Sequence, residues 1–305
     1  MLVIVCPGQG SQTPGFFNPW LEIPTFRETI EIAQAAAGID LLTYGTISDA
    51  DTIKDTAVAQ PLIVSASLAS YAALTAAGLT NISGVAGHSV GEVAAASIAG
   101  VFDNATAMEF VTKRGTEMAK AAALTKSSMA AILGGDRDEV VAYLEARGLS
   151  AANYNGSGQI VAAGDADGIA LLATEPLAGT RVIPLQVAGA FHTKFMEPAV
   201  AELANYAAGI STTDASKKLW TNKDGSIVSD GSTYLNLLVN QVSNPVRWDL
   251  CMDAMVAAGV TALIEVSPAG TLAGLAKRGM PGIETLALKT PDQLDAAIEL
   301  AKNHG

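Results

Sequence analysis

A glycine–serine turn near residue 88 constrains the fold more than any other stretch of this chain. An apolar run ends at Gly87-His88-Ser89-Val90-Gly91, and an alanine-rich run follows from Glu92. This order predicts a strand, a sharp turn and a helix, with the Ser89 hydroxyl exposed at the tip of the turn. The helix N-terminus behind Ser89 favours developing negative charge. In a chain with 29 glycines, an ordinary glycine–serine loop is the alternative.

Apolar runs typical of buried strands alternate with helical patterns along most of the chain. Leu2–Cys6 and Thr261–Val266 predict strands, while Pro61–Ala77 and a run capped by Asn104 and ending near Ala123 predict helices. Such alternation is typical of a mainly parallel sheet flanked by helices. We therefore predict an α/β fold with a hydrolase-like core.

The pattern changes between residues 126 and 189. Strand and helix patterns there follow the order β-α-β-β-α-β, which is the order of a ferredoxin-like unit. The length of this segment suits a small inserted domain. We predict a large α/β hydrolase-like domain formed by residues 1–125 and 190–305, and a small ferredoxin-like domain formed by residues 126–189.

Charge and patterning exclude several classes of partner and site. The net charge of −12 argues against binding to nucleic acid or to an anionic membrane. Met1–Val5 has no positively charged region, and the uncharged stretch Thr56–Gly91 is interrupted by polar residues, so neither a signal peptide nor a membrane span is expected. We expect a cytoplasmic protein in which Cys6 and Cys251 are free and buried. With three histidines, no metal-binding cluster is predicted.

A serine nucleophile needs a base, and the three histidines can be compared directly. His304 lies one residue from the C-terminus of the sequence, and His88 neighbours Ser89, but consecutive side chains diverge. His192 remains, at the point where the small domain rejoins the large one, although a purely structural histidine is the alternative. No acid can be assigned to orient the imidazole, but a backbone carbonyl can take that role, which gives a dyad.

The loop after the first predicted strand has two interpretations. Gly8-x-Gly10 is typical of a dinucleotide-binding loop, but Thr13 stands where the third glycine should be and no helical pattern begins there. We therefore favour a loop that lies close to another catalytic element, with Gln9 offering its backbone N–H.

Arg114 is the second candidate for substrate binding, in a chain with only 18 basic residues. It is either a surface arginine or a planar clamp for a carboxylate. A carboxylate-bearing acyl substrate would use such a clamp.

Taken together, these motifs resemble the family of malonyl-CoA:acyl carrier protein transacylases of type II fatty acid and polyketide synthesis, over nearly the whole chain. The matching segments are Pro7–Gln12, Gln60-Pro61, Gly87–Glu92, Arg114-Gly115, Asn153–Gly164, Gly189–His192, Asn244–Trp248, Glu265–Pro268 and Leu275–Arg278. Two departures affect the site: the Asn155–Gly158 loop lacks a proline often found there, and Gly189 replaces a common histidine.

The resemblance implies transfer of a malonyl group from malonyl-CoA to the phosphopantetheine thiol of acyl carrier protein, through a malonyl-serine intermediate. It implies that no bound cofactor is needed. It also implies a role for each of nine residues. Ser89 would be the nucleophile, His192 would be its base, the carbonyl of Gln241 would orient His192, and the N–H groups of Gln9 and Val90 would form the oxyanion hole. Arg114 would pair with the malonyl carboxylate, with Gln60 nearby, Asn155 would line the cleft, and Phe191 would be a bulky ring that disfavours an α-methyl branch.

The expected partner and two alternative functions complete the prediction. We expect acyl carrier protein to dock near Lys277, Arg278 and Arg181, and the chain to act as a monomer. A serine esterase shares the glycine–serine turn, but it should carry a third acidic residue and has no need of Arg114. A non-catalytic module that only docks a carrier protein would not need Ser89 and His192 together.

Overall fold

Nine strands and thirteen α-helices make up the computed structural model, which describes residues 1–305. The strands are β1 (Leu2–Cys6), β2 (Gly84–Gly87), β3 (Ser127–Leu133), β4 (Ser150–Gly156), β5 (Gln159–Asp165), β6 (Arg181–Pro184), β7 (Lys218–Leu219), β8 (Ala262–Glu265) and β9 (Glu284–Ala287). The helices are α1 (Pro24–Ala37), α2 (Leu41–Thr46), α3 (Ala50–Ile53), α4 (Thr56–Ala76), α5 (Gly91–Ile98), α6 (Asn104–Ala123), α7 (Arg137–Glu145), α8 (Ala166–Thr174), α9 (Glu197–Ala207), α10 (Gly231–Gln241), α11 (Trp248–Ala257), α12 (Thr271–Gly279) and α13 (Leu294–His304).

A five-stranded parallel sheet in the order β7-β2-β1-β8-β9 forms the centre of the larger part of the molecule. In its central strand Val3 lies opposite Gly84 on one side and Leu263 on the other. Every residue of β1 is buried, because apolar clusters pack on both faces of the sheet. The predicted α/β fold with a mainly parallel sheet is confirmed.

A second, antiparallel sheet in the order β4-β5-β3-β6 lies in the smaller part of the molecule. Together with α7 and α8 it follows the β-α-β-β-α-β order that the sequence predicted. It has a separate apolar core, in which Ile132 and Ile160 from the sheet pack with Leu144 and Leu172 from the helices. The division into two domains at residues 126 and 189 stays a prediction.

Helix α4 begins at Thr56, five residues before the predicted start at Pro61. The carboxylate of Asp55 accepts the N–H of Ala57 and so caps the helix, while Pro61 lies inside it. By length and composition α4 could cross a membrane, but 78% of its most apolar window is buried inside the molecule. It is therefore the core helix that the sequence predicted.

Helix α6 and strand β9 differ from the sequence prediction. Asp103, and not Asn104, caps α6, since its carboxylate accepts the N–H of Thr106 at 2.8 Å. No strand was expected at β9, whose four residues form a partly exposed edge of the parallel sheet. A strand this short has too few positions to establish a hydrophobic period.

Candidate active site

Ser89 lies in a sharp turn between β2 and α5, at the carboxyl end of the parallel sheet. Its φ of 52° is left-handed, a conformation that is strained for any residue other than glycine. The turn is tight because α5 packs directly on β1: a Cβ atom on Gly91 would lie 2.1 Å from the carbonyl oxygen of Cys6. The glycine at position 91 therefore permits a tight turn in which Ser89 belongs to neither β2 nor α5.

His192 faces Ser89 and is held from behind by a backbone carbonyl. Its Nε2 lies 2.7 Å from the Ser89 Oγ, and its Nδ1 lies 2.8 Å from the carbonyl oxygen of Gln241. Gln241 is the last residue of α10, where helix carbonyls have no partner within the helix. A carbonyl only accepts, so Nδ1 carries the proton and Nε2 is free to accept the serine proton.

The environment keeps His192 neutral. It is 4% exposed, and burial is the main cause that lowers the pKa of its imidazole to about 3, followed by the positive charge of Arg114. The imidazole is therefore in its basic form at neutral pH. Protonation becomes more favourable when a negative group offsets the Arg114 charge.

The two other histidines lie apart from the serine hydroxyl. His88 Nε2 is 2.8 Å from the Oδ1 of Asn155, and the His88 ring contacts the edge of Trp248. Its pKa is lowered mainly by burial. His304 contacts Thr261 through Nδ1 at 2.9 Å, and no hydrogen bond joins it to the serine.

Arg114 is 1% exposed, so the surface-arginine alternative is wrong. Its guanidinium donates to the Oε1 of Gln60 and to the Oε1 of Gln241, the latter at 2.9 Å, while its Nε has no partner. No carboxylate lies within ion-pair distance of it, and burial lowers its pKa to about 10, against the opposing effect of Glu92. A buried guanidinium with amide partners only is suited to receive a carboxylate.

Two backbone N–H groups beside the serine are free. The N–H groups of Gln9 and Val90 have no hydrogen-bond acceptor in the protein, and both residues line the same cavity as Ser89. The loop that carries Gln9 packs closely on the nucleophile turn, since a Cβ on Gly8 would lie 2.8 Å from the His88 carbonyl oxygen. These donors could stabilise an oxyanion formed next to Ser89.

A cavity of about 260 Å³ brings the predicted residues together between the two sheets. Its lining includes Gln9, Gln60, Ser89, Val90, Arg114, Asn155, Phe191 and His192. Met129, Ala131 and Val161 from the antiparallel sheet add an apolar wall. Gln241 is not part of the lining and lies behind the cavity, where it contacts both Arg114 and His192.

Sequence reasoning missed Asn222 and the role of Glu92 beneath the site. Glu92 is buried; its Oε1 accepts the Asn222 N–H at 2.7 Å and the Tyr234 hydroxyl at 3.2 Å, and its Oε2 accepts from the Gln241 amide. Burial raises the pKa of Glu92 to about 8, against the lowering effect of the Asn222 and Tyr234 donors and of the Arg114 charge. A polar residue shortly after a strand, at the carboxyl edge of a parallel sheet, was the signal that could have identified Asn222.

The predicted docking cations lie outside the cavity. Lys277 and Arg278 are exposed near the end of α12, whose Leu272 and Leu275 line the cavity, and Arg278 also lines an adjoining groove of about 430 Å³. Arg181 is exposed on β6. None of the three forms an ion pair in the structure. No group of three or more His, Cys, Asp or Glu side chains is placed to hold a metal ion.

Comparison with known proteins places this geometry among acyl transferases. Residues 3–291 match the family model described as acyl transferase domain. A Mycobacterium tuberculosis protein named malonyl CoA-acyl carrier protein transacylase is 46% identical over 98% of this chain and 100% of its own length. An Escherichia coli protein of the same name is 35% identical over 97% of this chain and 98% of its own length.

Solved structures that resemble this chain carry the same kind of name as its sequence relatives. The crystal structure of MCAT from Mycobacterium tuberculosis has a TM-score of 0.94, with 46% identity and 99% coverage of both chains. A type II PKS acyl-carrier protein in complex with its malonyl-transacylase has a TM-score of 0.93, with 29% identity, and covers 98% of this chain and 99% of that one.

Proposed function

The chain belongs to the acyl transferase domain family, among its malonyl CoA-acyl carrier protein transacylases, and from this we infer that it transfers a malonyl group from malonyl-CoA to an acyl carrier protein. It is an acyltransferase of the [acyl-carrier-protein] S-malonyltransferase type. The extender unit so formed serves fatty acid or polyketide synthesis.

The first half of the reaction loads Ser89. The malonyl carboxylate pairs with Arg114, and the Ser89 Oγ attacks the thioester carbonyl while His192 Nε2 takes the hydroxyl proton. The N–H groups of Gln9 and Val90 stabilise the tetrahedral oxyanion. The carbon–sulfur bond then breaks, and CoA leaves as a thiol after it takes the proton back from His192.

The second half reverses these steps with a different thiol. His192 takes the proton of the phosphopantetheine thiol, whose sulfur attacks the malonyl-serine carbonyl. Collapse of the second tetrahedral intermediate returns the proton to the Ser89 oxygen and frees the malonyl carrier protein. No bound cofactor takes part in these steps.

The observation that carries this proposal is a buried guanidinium in the cavity of the serine–histidine pair. Arg114 and Ser89 line one cavity, and no protein carboxylate neutralises Arg114 directly. A serine esterase has no use for such a cation, and its third acidic residue is replaced here by the Gln241 carbonyl. A pure docking module would not need Ser89 and His192 in contact at 2.7 Å.

Four finer features belong to the proposal. The carrier protein docks near Lys277, Arg278 and Arg181, the enzyme acts as a monomer, and it works in the cytoplasm. Phe191, which is buried in the cavity wall, limits the room for an α-methyl branch on the malonyl group. One methyl group in a tight pocket gives only ~10–200-fold discrimination, so methylmalonyl is disfavoured rather than excluded.

Intact-mass spectrometry tests the proposal in two steps. Malonyl-CoA should add one malonyl group to Ser89, and holo acyl carrier protein should then remove it and become malonylated. Ser89→Ala should form no adduct, and His192→Ala should form it about 10²–10⁴-fold more slowly, as is typical for loss of a general base.

Ser97→Ala is the matched control, because Ser97 lies in the same helix α5 and its hydroxyl bonds to Asn104 outside the cavity. It should malonylate like the wild type. An adduct in Ser89→Ala that maps to another residue would contradict the assignment. Hydrolysis of the wild-type adduct faster than its transfer to carrier protein would favour an esterase.

A further inference from the structure

Asn222 holds the backbone of the nucleophile turn with both ends of its side-chain amide. Its Oδ1 accepts the N–H of Ser89 at 2.7 Å, and its Nδ2 donates to the carbonyl oxygen of Gly87 at 2.7 Å. Strands β7 and β2 pair only through Gly84 and Val85, which lie before the turn. The Asn222 side chain therefore replaces the missing strand partner at the point where β2 turns into the nucleophile.

The Asn222 side chain acts on a strained residue, Ser89. The left-handed φ of 52° at Ser89 is strained and persists only where the surrounding structure holds it. The acceptor of the Ser89 N–H is the side chain of Asn222, a residue that does not line the cavity. The N–H of the next residue, Val90, is left without an acceptor and is available to an oxyanion.

The Asn222 amide is itself fixed by the network beneath the site. Its backbone N–H donates to Glu92, and its Oδ1 also accepts from the Gln241 side chain at 3.3 Å. Gln241 in turn accepts from Arg114. Asn222 is 0% exposed, so these bonds are shielded from water and are strengthened by the low local dielectric.

We propose that Asn222 is a positioning residue: it holds Ser89 in the conformation in which its hydroxyl meets His192 and the Val90 N–H faces the reacting carbonyl. This inference rests on the proposed function, since it concerns acyl transfer by Ser89. It does not require contact between Asn222 and the substrate.

The first test removes the amide and follows two reagents. Ser89 acylation by malonyl-CoA and Ser89 sulfonylation by phenylmethanesulfonyl fluoride are timed by intact mass in the wild type and in Asn222→Ala. Displacement of a reacting group by 1 Å costs on the order of 10²-fold, so both rates should fall by about that factor. The half-saturating malonyl-CoA concentration should stay within about 3-fold, because Arg114 is untouched.

Ser70→Ala provides the matched control. The Ser70 hydroxyl is buried and accepts the N–H of Ser267 at 3.1 Å, so its loss also removes a buried bond to a distant backbone group. We expect a lower Tm and both rates within about 3-fold of the wild type, since an unsatisfied buried donor destabilises without altering the nucleophile.

Asn222→Asp separates positioning from a purely structural role and keeps the test available if Asn222→Ala fails to fold. The new carboxyl is buried near the Glu92 carboxyl and the Cys251 thiol, neither of which is a cation, so burial should raise its pKa as it raises that of Glu92. When protonated, it reproduces both the acceptor and the donor of the amide; when ionised, it loses the donor to Gly87. The ratio of Asn222→Asp to wild-type sulfonylation should rise as pH falls from about 9 to about 6.

The outcomes separate this inference from the proposed function. A wild type that is sulfonylated but not malonylated contradicts the proposed function, and the sulfonylation rates still decide the role of Asn222. The inference is overturned if folded Asn222→Ala reacts within about 3-fold of the wild type, or if the Asn222→Asp ratio does not change with pH. A wild type that is malonylated but not sulfonylated supports the proposed function, and the malonylation rates then decide the role of Asn222. A wild type in which neither reagent modifies Ser89 overturns both.

Discussion

In the proposed function, the position of one side chain, Arg114, decides which acyl group is chosen. Its guanidinium is held by the amide oxygens of Gln60 and Gln241, which orient it without neutralising its charge. A malonyl carboxylate can then form an ion pair with Arg114, for which the protein supplies no partner, whereas an acetyl group has no carboxylate to form it. We therefore expect selectivity at this residue to come from a buried charge that lacks a direct carboxylate partner.

Arg114→Ala should lose the preference for malonyl over acetyl. Loss of the charge-assisted pairing costs a few kcal/mol, so malonyl transfer should fall by about 100-fold while acetyl transfer changes little. Initial rates with malonyl-CoA and acetyl-CoA measure the ratio. Lys113→Ala is the control, because Lys113 is the preceding residue, pairs with Glu117 and does not line the cavity. Equal slowing of both acyl groups in Arg114→Ala would mean that the arginine is structural.

At the scale of elements, the crossing of α4 and α6 brings together the two groups proposed to bind the carboxylate. Gln60 lies on α4 and Arg114 on α6, and the two helices meet at Gly115. A Cβ atom at Gly115 would lie 2.9 Å from the carbonyl oxygen of Thr56, so the close approach depends on the missing side chain. Gly115 thus sets the distance between α4 and α6, across which the Arg114 guanidinium contacts the Gln60 amide.

Gly115→Ala should push the two helices apart. Overpacking of this kind costs about 1–3 kcal/mol, and malonyl transfer should fall together with stability. Gly274→Ala is the matched control, because a Cβ there would approach no closer than 4.0 Å, to the end of the Arg278 side chain. In that partly buried helical site, where a Cβ has room, alanine should raise stability by about 0.5–1 kcal/mol. Urea unfolding of both variants measures the difference, and a Gly115→Ala that is as stable as wild type would refute the argument.

At the scale of the whole molecule, the net charge of −12 opposes binding of an acidic carrier protein. Favourable contacts must then come from a local group of cations, and Lys277 and Arg278 are exposed and unpaired on α12 beside the cavity. Such contacts are screened by salt, and they affect the encounter with the carrier more than the chemistry at Ser89.

Reversal of both charges, in a Lys277→Glu/Arg278→Glu variant, should impair the second half-reaction only. We expect transfer to carrier protein to slow and to lose most of its salt dependence, while self-malonylation from malonyl-CoA stays at the wild-type rate. Stopped reactions at several ionic strengths resolve the two steps. Lys302→Glu, on the exposed face of α13, changes charge away from the cavity and should leave both steps unaltered. Unchanged carrier kinetics in the double variant would exclude this docking surface.

The sequence by itself determined the features that depend on residues close together in the chain. Local periodicity and turn chemistry predict three such features. They are the strand–turn–helix around Ser89, the alternation of strands and helices that forms the parallel sheet, and the β-α-β-β-α-β unit. His192 could be selected as the candidate base because only three histidines compete. Short elements such as β9, and caps such as Asp103, were missed or misplaced because too few residues define them.

Only the tertiary structure decided which distant groups meet and how deeply they are buried. Ser89 meets His192 across 103 residues of sequence, Arg114 meets Gln241 across 127, and Ser89 meets Asn222 across 133. For Asn222 the physical reason is the strand order: β7 flanks β2 in the sheet, so the segment after β7 lies beside the nucleophile turn. His192 and Arg114 are both joined to Gln241 at the end of α10. Burial at that edge then sets the charge state of His192 and leaves the charge of Arg114 unpaired, and neither effect can be derived from residue types alone.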